Sequence, residues 1–206
     1  MLEHIPHWLG QALTGVRAGH DKLTVARLDL HQSAELSLTS PAFASGGRLP
    51  ERFTADGAGI SPPLVWSGIP AGATSLALIV EDPDAPTPRP MVHAILLDID
   101  PALGSLAEGA IAPDGAGSGG KNVGRNSGLS EGWLPPDPPT GHDSHDYVFQ
   151  LFALRAGAPS DDAAPGRSDF LEKVRGRVLA TGLLVGTYSR GEEAPVGPAA
   201  GGLARA

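Results

Sequence analysis

Short apolar runs separated by Gly- and Pro-rich turns organise most of this chain. Leu36-Ser37-Leu38-Thr39-Ser40 alternates apolar and polar positions as a half-buried strand does, and Pro41 limits its extension into a sheet interior. Asp56-Gly57-Ala58-Gly59 predicts a turn, followed by Ile60-Ser61-Pro62-Pro63-Leu64-Val65-Trp66, a stiff segment that leads into a short strand. Residues 76–80, 92–99, 148–154 and 183–188 are further apolar runs flanked by turn signals. Several such short strands predict a β-sandwich or barrel.

Two stretches follow a helical period instead. Ile5, Trp8, Leu9, Ala12, Leu13 and Val16 predict an amphipathic helix over residues 4–18 that stops at Gly19. Its apolar face is suited to docking on a sheet or a partner subunit; Arg17 is the one fixed positive charge on the polar face, too little for a membrane-surface helix. Further on, Ser168 is the expected cap of a helix over residues 169 to about 180, with Phe170, Val174 and Val178 on one face. Residues 20–34 read as a connector, and 104–126, centred on Gly115-Ala116-Gly117-Ser118-Gly119-Gly120, as a mobile loop. The expected layout is an N-terminal helix and connector over 1–34, a single β domain over 35–190 and a flexible tail over 191–206.

Composition narrows the function classes. The 206 residues suffice for one domain with a real core, and the 28 Gly and 20 Pro fall between periodic segments, marking turns rather than disorder. Cys is absent, which removes disulfides and thiolate chemistry. A formal charge of -8, with Lys and Arg scattered, argues against nucleic acid. With no bilayer-length apolar run and no secretion-signal pattern, the expectation is a soluble, cytoplasmic protein without stable membrane insertion.

Candidate chemistry lies where strands meet loops. In Asp82-Pro83-Asp84-Ala85-Pro86 two prolines fix the backbone beside two carboxylates, which preorganises them, although an ordinary turn contains the same residues. His93 opens an apolar run; a nearby Asp82 or Asp84 would orient its ring and favour an imidazolium able to donate to an anion. His145 and Tyr147 are two apart and share a face if the strand has begun, with Asp146 on the other. Upstream, Pro138-Pro139 supply an apolar wall and Gly141 permits close backbone approach.

Asp82-Pro83-Asp84-Ala85-Pro86 with His93, then Pro138-Pro139-x-Gly141-x-x-x-His145-x-Tyr147, resembles the signature of the phosphatidylethanolamine-binding protein family, also described as Raf-kinase-inhibitor-like proteins. Ile60-Ser61-Pro62-Pro63-Leu64-x-Trp66, Gly120-Lys121-Asn122 through Gly128, and Leu184-Val185-Gly186-Thr187-Tyr188 extend the resemblance over about residues 35–190. It implies a mainly β fold, a Greek-key β-sandwich, here with an N-terminal helix and a short C-terminal helix. It also implies an anion pocket lined by Asp82, His93, His145 and Tyr147 and shaped by Asp84, Pro138 and Pro139. The implied ligand is a small anion of phosphate or phospholipid head-group type, with no cofactor, no metal and no catalysis. Ala94, where the family commonly has an aromatic, and Pro135-Pro136-Asp137, where glycines are expected, imply an altered rim. Asp137, Asp143 and Asp146 add negative charge there.

Two other functions stay open at this point. One is a protein-facing regulator or inhibitor of a kinase or hydrolase, whose pocket grips an acidic or phosphorylated side chain. The other is an enzyme, either a hydrolase or a metal site built from Asp82, His93, His142 and His145. Ser144 beside His145 is poorly placed as a nucleophile, because neighbouring strand residues face opposite ways, and no Gly-x-Ser-x-Gly elbow is present. A homodimer, through the N-terminal helix, is the expected assembly.

Overall fold

Among the residues that the computed structural model describes, 12–13, 15–113, 122–157 and 164–190, eight strands form two sheets. The strands are β1 (Ser37–Thr39), β2 (Gly47–Arg48), β3 (Leu64–Ser67), β4 (Ser75–Asp82), β5 (Met91–Ile99), β6 (Ser105–Leu106), β7 (His145–Leu154) and β8 (Val178–Tyr188). One sheet has the order β1-β3-β6 and the other β2-β8-β7-β4-β5. The expected mainly β, two-sheet fold with a few short helices is thus present.

Strand β4 shows why the layers form. Every one of its residues is buried, so both faces of the larger sheet are covered. Leu76, Leu78 and Val80 join Leu38, Leu64, Trp66 and Phe149 in the core between the sheets, while Ala77 and Ile79 join Leu23, Val25, Phe170 and Val174 on the opposite face. The period of two along the strand separates the two clusters, as its alternating Cβ directions require. Two short helices, α1 (Thr24–Arg27) and α2 (Arg167–Val174), supply the second cover.

Residues 20–34, read as a connector, therefore contribute core. Their attachment is polar as well as apolar. Glu81 is fully buried; its Oε1 accepts from Arg167 Nε at 2.5 Å and its Oε2 from Thr24 N and Gln150 Nε2, both at 2.7 Å. Gln150 Oε1 accepts in turn from Val25 N at 2.8 Å, and Arg167 Nη2 donates to the Lys22 carbonyl. One carboxylate thus ties α1, α2, β4 and β7 together.

The expected strands are all found; β7 and β8 run well beyond their apolar cores because they pair from His145↔Tyr188 to Ala153↔Ala180 and, past an irregularity, at Leu154↔Val178. The C-terminal helix needs correction. It starts at Arg167 after Gly166, not after a Ser168 cap, with Asp169 reaching back to the Gly166 N–H at 2.9 Å. It also ends at Val174, since Val178 to Ala180 gain β pairing with β7 that a continued helix would forfeit. The two-residue strands β2 and β6 were not expected, being too short to show a period. Most of the expected N-terminal helix, the Gly115–Gly120 centre of the expected loop and the tail lie outside the described residues; Ala12 and Leu13 are helical.

Gly68 closes the turn after β3 with φ +74, and a Cβ there would stand 1.8 Å from the Glu35 carbonyl oxygen. Both strain and a backbone collision oppose any side chain. Gly68→Ala is expected to cost about 2–4 kcal/mol of unfolding free energy, read from urea denaturation midpoints. An unchanged midpoint would show that the Glu35 backbone yields freely.

Candidate functional site

Antiparallel pairing brings the C-terminal end of β4 and the N-terminal ends of β5 and β7 to one edge of the larger sheet: Asp82 pairs with Met91, and Glu81 with both Val92 and Val148. Loops from that edge enclose a cavity of about 190 Å³. Asp82, His93 and His145 are its polar strand residues, and Ala85, Pro86, Met91, Ser127, Gly128, Leu134, Pro135, Asp137, Pro138 and Pro139 complete its lining.

Asp82 organises the first wall. Its Oδ1 accepts from the backbone N–H groups of Asp84 and Ala85 at 2.8 and 2.9 Å, which folds the Pro-rich turn, and its Oδ2 accepts from His145 Nδ1 at 2.8 Å. His145 Nε2 lies 2.7 Å from His142 Nδ1, and His142 Nε2 lies 2.9 Å from the Leu13 carbonyl. A carbonyl only accepts, so His142 Nε2 carries hydrogen; an ionised Asp82 requires hydrogen on His145 Nδ1; and a third hydrogen sits between the rings. Two neutral imidazoles hold two. The Asp82, His145 and His142 group therefore shares one extra proton that balances the carboxylate. Burial and the neighbouring His145 ring hold His142 below the usual histidine range.

His93 is fixed differently. Its Nδ1 donates to the Leu134 carbonyl at 2.7 Å while Leu134 N donates to the His93 carbonyl at 2.7 Å, a reciprocal clamp across the rim. The ring is 2 % exposed and packs edge-on against Tyr147, with centroids 5.0 Å apart. Its Nε2 is buried with no hydrogen-bond partner among the described residues. Burial lowers the His93 pKa, only partly offset by the Asp82 charge, so the ring is neutral near pH 7 and Nε2 offers a lone pair.

Each of the rim acids has a basic side chain beside it. Arg190 Nη2 stands 2.7 Å from Asp137 Oδ1 and from Asp56 Oδ1, and its Nη1 donates to the Pro138 carbonyl at 2.9 Å. These bonds hold Asp56 below the usual carboxylate range. Arg17 Nη1 lies 2.5 Å from Asp84 Oδ1, and Arg17 Nη2 3.6 Å from the exposed Asp143. His20 lies 3.7 Å from Asp146, whose carboxyl is raised by burial and by Asp84.

Comparison with known proteins gives this edge of the sheet a context. The family model described as Phosphatidylethanolamine-binding protein matches residues 39–189. The chain belongs to the phosphatidylethanolamine-binding protein family. A UPF0098 protein of Methanothermobacter thermautotrophicus is 42% identical over 159 residues, 76% of this chain and 100% of that protein. The crystal structure of a phosphatidylethanolamine-binding protein homolog from Chlamydia trachomatis has a TM-score of 0.67 at 37% identity, covering 77% of this chain and 99% of that one. The crystal structure of E. coli YbcL, described as a new member of the mammalian family, has a TM-score of 0.69 at 28% identity, covering 76% of this chain and 99% of that one. LppC of Mycobacterium tuberculosis, a candidate lipoprotein by its name, is 41% identical over 131 residues, 64% of this chain and 61% of that protein. Among the described residues no helix is long and apolar enough to cross a membrane.

Of the positions that carry the family resemblance, Asp82, His93, His145, Pro138 and Pro139 line this cavity together. Strand β7 begins at His145, so His145 and Tyr147 do share a face. Tyr147, however, is fully buried behind His93 rather than on the cavity lining, its hydroxyl lacks a partner among the described residues, and burial pushes its pKa well above the usual tyrosine range. Asp84 is also set back, accepting from Asp146 N at 2.8 Å while pairing with Arg17. Ala94 points the other way, into the core between the sheets. The metal set of Asp82, His93, His142 and His145 does not converge, because His142 and His145 direct ring nitrogens at each other. His20, Asp84 and Asp146 place ligand atoms within 4.8 Å of one another, but Arg17 already neutralises Asp84.

Sequence reasoning missed Ser127, Leu134, Arg190 and the structural use of His142. Gly141, with φ +85, turns the chain so that His142 comes back to face His145. A histidine three residues before His145 and directly after a turn glycine was the available signal. Ser127 and Arg190 had none, since tertiary packing alone brings them to the edge.

Proposed function

We propose that this chain binds a small phosphate-type anion in the cavity at the strand ends, with His93 meeting the ligand and the Asp82 and His145 pair holding the wall. The observation that carries this reading is His93 Nε2: a buried polar atom in the cavity lining, clamped through Nδ1 and left without a partner among the described residues. A buried polar atom without a partner is uncommon unless a bound group completes it. Because Asp82 is answered by His145 and Asp137 by Arg190, the acids of the lining do not present bare charge to an anion. His145 has both ring nitrogens engaged, so in this arrangement it serves as a wall and as the balance of Asp82. The family's name supports a small polar ligand, and we read the activity as binding rather than catalysis, in the cytoplasm and as a homodimer.

Calorimetric titration with phosphoethanolamine at pH 6 tests the site. Wild-type protein is expected to give a saturable isotherm with one ligand per chain, and His93→Ala to bind at least about tenfold more weakly, the loss that one hydrogen bond to a charged group accounts for. Wild-type heats no larger than dilution, or full affinity in His93→Ala, contradict the assignment. Light scattering of the full chain checks the dimer.

A further inference from the structure

From the cavity's hydrogen-bonding capacity we infer that its ligand is a phosphomonoester taken up in singly protonated form, with the P–OH donating to His93 Nε2. This rests on the anion reading above and specifies its chemistry. Leu134 O is a carbonyl and takes the Nδ1 hydrogen, so the second nitrogen of a neutral His93 can only accept. A fully ionised phosphate has no hydrogen to offer it and would place lone pairs against a lone pair.

Donors are few in the lining. Ser127, at the mouth, accepts Val92 N–H at its Oγ at 2.8 Å and keeps its own hydrogen for an acceptor on the ligand. His145 Nε2 is held by His142, and no Lys or Arg among the described residues lines the cavity. An acceptor at the floor and a donor at the rim match a group with both P–OH and P–O, which a monoester monoanion has. A phosphodiester has no P–OH and must instead drive a proton onto His93, against its burial. The diester of an intact phospholipid head group is therefore the poorer ligand, and a small phosphomonoester the better.

Every charged group around His93 bears on this proton. Asp82 on β4, Asp137 on the rim and His145 on β7 face it, while Asp84 and Arg190 stand behind Asp82 and Asp137. Asp82 and Asp137 favour a proton at the floor, and His145 opposes it. The balance is a site that keeps one proton between His93 and the ligand once both are together.

The test uses methyl phosphate and dimethyl phosphate as probes on the full chain. Methyl phosphate has its second pKa at about 6, so above it binding must take up about one proton per site and affinity must fall about tenfold per pH unit. Titration at pH 8 in two buffers of different ionisation enthalpy reads the uptake directly. Dimethyl phosphate at pH 6 is expected to bind at least about tenfold more weakly than methyl phosphate, the loss of one charge-assisted hydrogen bond. His93→Gln, whose amide can donate, is expected to flatten the pH dependence and abolish the uptake. Methyl phosphate binding at pH 8 without uptake, or dimethyl phosphate binding as well as the monoester, overturns the protonated ligand and leaves the anion site standing. If neither probe nor phosphoethanolamine binds between pH 5 and pH 8, the anion site itself falls.

Discussion

Glu81→Ala is expected to lower the unfolding free energy by about 3–5 kcal/mol, the usual loss when one member of a buried ion pair is removed. The side chain is fully buried and serves three donors, the Arg167 guanidinium, the Thr24 backbone N–H and the Gln150 amide. Truncation removes the acceptor of Arg167 Nε, Thr24 N and Gln150 Nε2, and among the described residues only Arg167 keeps another, the Lys22 carbonyl. Since domains of this size are stable by about 5–15 kcal/mol, the loss is a large share. The damage is also directional: α1 and α2 are held to β4 by this carboxylate, so the Thr24–Arg27 amides should exchange hydrogen much faster in the variant while those of β4 and β7 accelerate less. Urea denaturation gives the magnitude and hydrogen exchange the location. A loss under about 1 kcal/mol, as for a surface pair, would mean that water replaces the carboxylate.

Asp82→Ala is the second large effect and separates scaffold from ligand contact. Asp82 receives two buried backbone N–H groups and the His145 ring, so its removal is expected to cost about 3–5 kcal/mol as well. It should also abolish phosphoethanolamine binding, because Ala85 and Pro86 lose the turn that makes them a cavity wall. Asp82→Asn is the informative control. The amide oxygen can still take the two backbone N–H groups, so most stability returns, but the charge that balances the shared proton is gone. The amide N–H can donate to His145 Nδ1, so the His145 and His142 contact and the His142 bond to Leu13 persist with two ring hydrogens instead of three, and the group loses its extra proton. A smaller recovery of binding than of stability in Asp82→Asn is the expected pattern, read by calorimetry and urea denaturation on the same samples. Equal recovery of both would show that the carboxylate charge has no part in the site.

Much of the larger sheet was legible because its strands are apolar runs of five or more residues, and burial on both faces made them stand out between turns. The β2 and β6 strands were not, since two residues carry no period. Helix α2 was misplaced at both ends for a physical reason: Val178 continues the helical spacing of Phe170 and Val174, yet pairing with Leu154 on β7 wins its backbone. The motif residues pointed to the candidate site, and Asp82, His93, His145, Pro138 and Pro139 share one cavity. Its protonation could not be read from residue order. That depends on Leu134 fixing one nitrogen of His93 and on His142 occupying His145, contacts set by the return of two loops. The rim acids looked like an obstacle to an anion until packing supplied Arg17, His20 and Arg190 as partners from distant segments.

The most direct measurement is the histidine ring ¹⁵N spectrum of the full chain, recorded with and without saturating methyl phosphate at pH 6. Free protein should show His93 with hydrogen on Nδ1 and a bare Nε2, and saturation should shift that Nε2 signal strongly toward the hydrogen-bonded range while His93 Nδ1 stays in place. Binding that leaves both His93 nitrogens unmoved would put the ligand elsewhere on the protein.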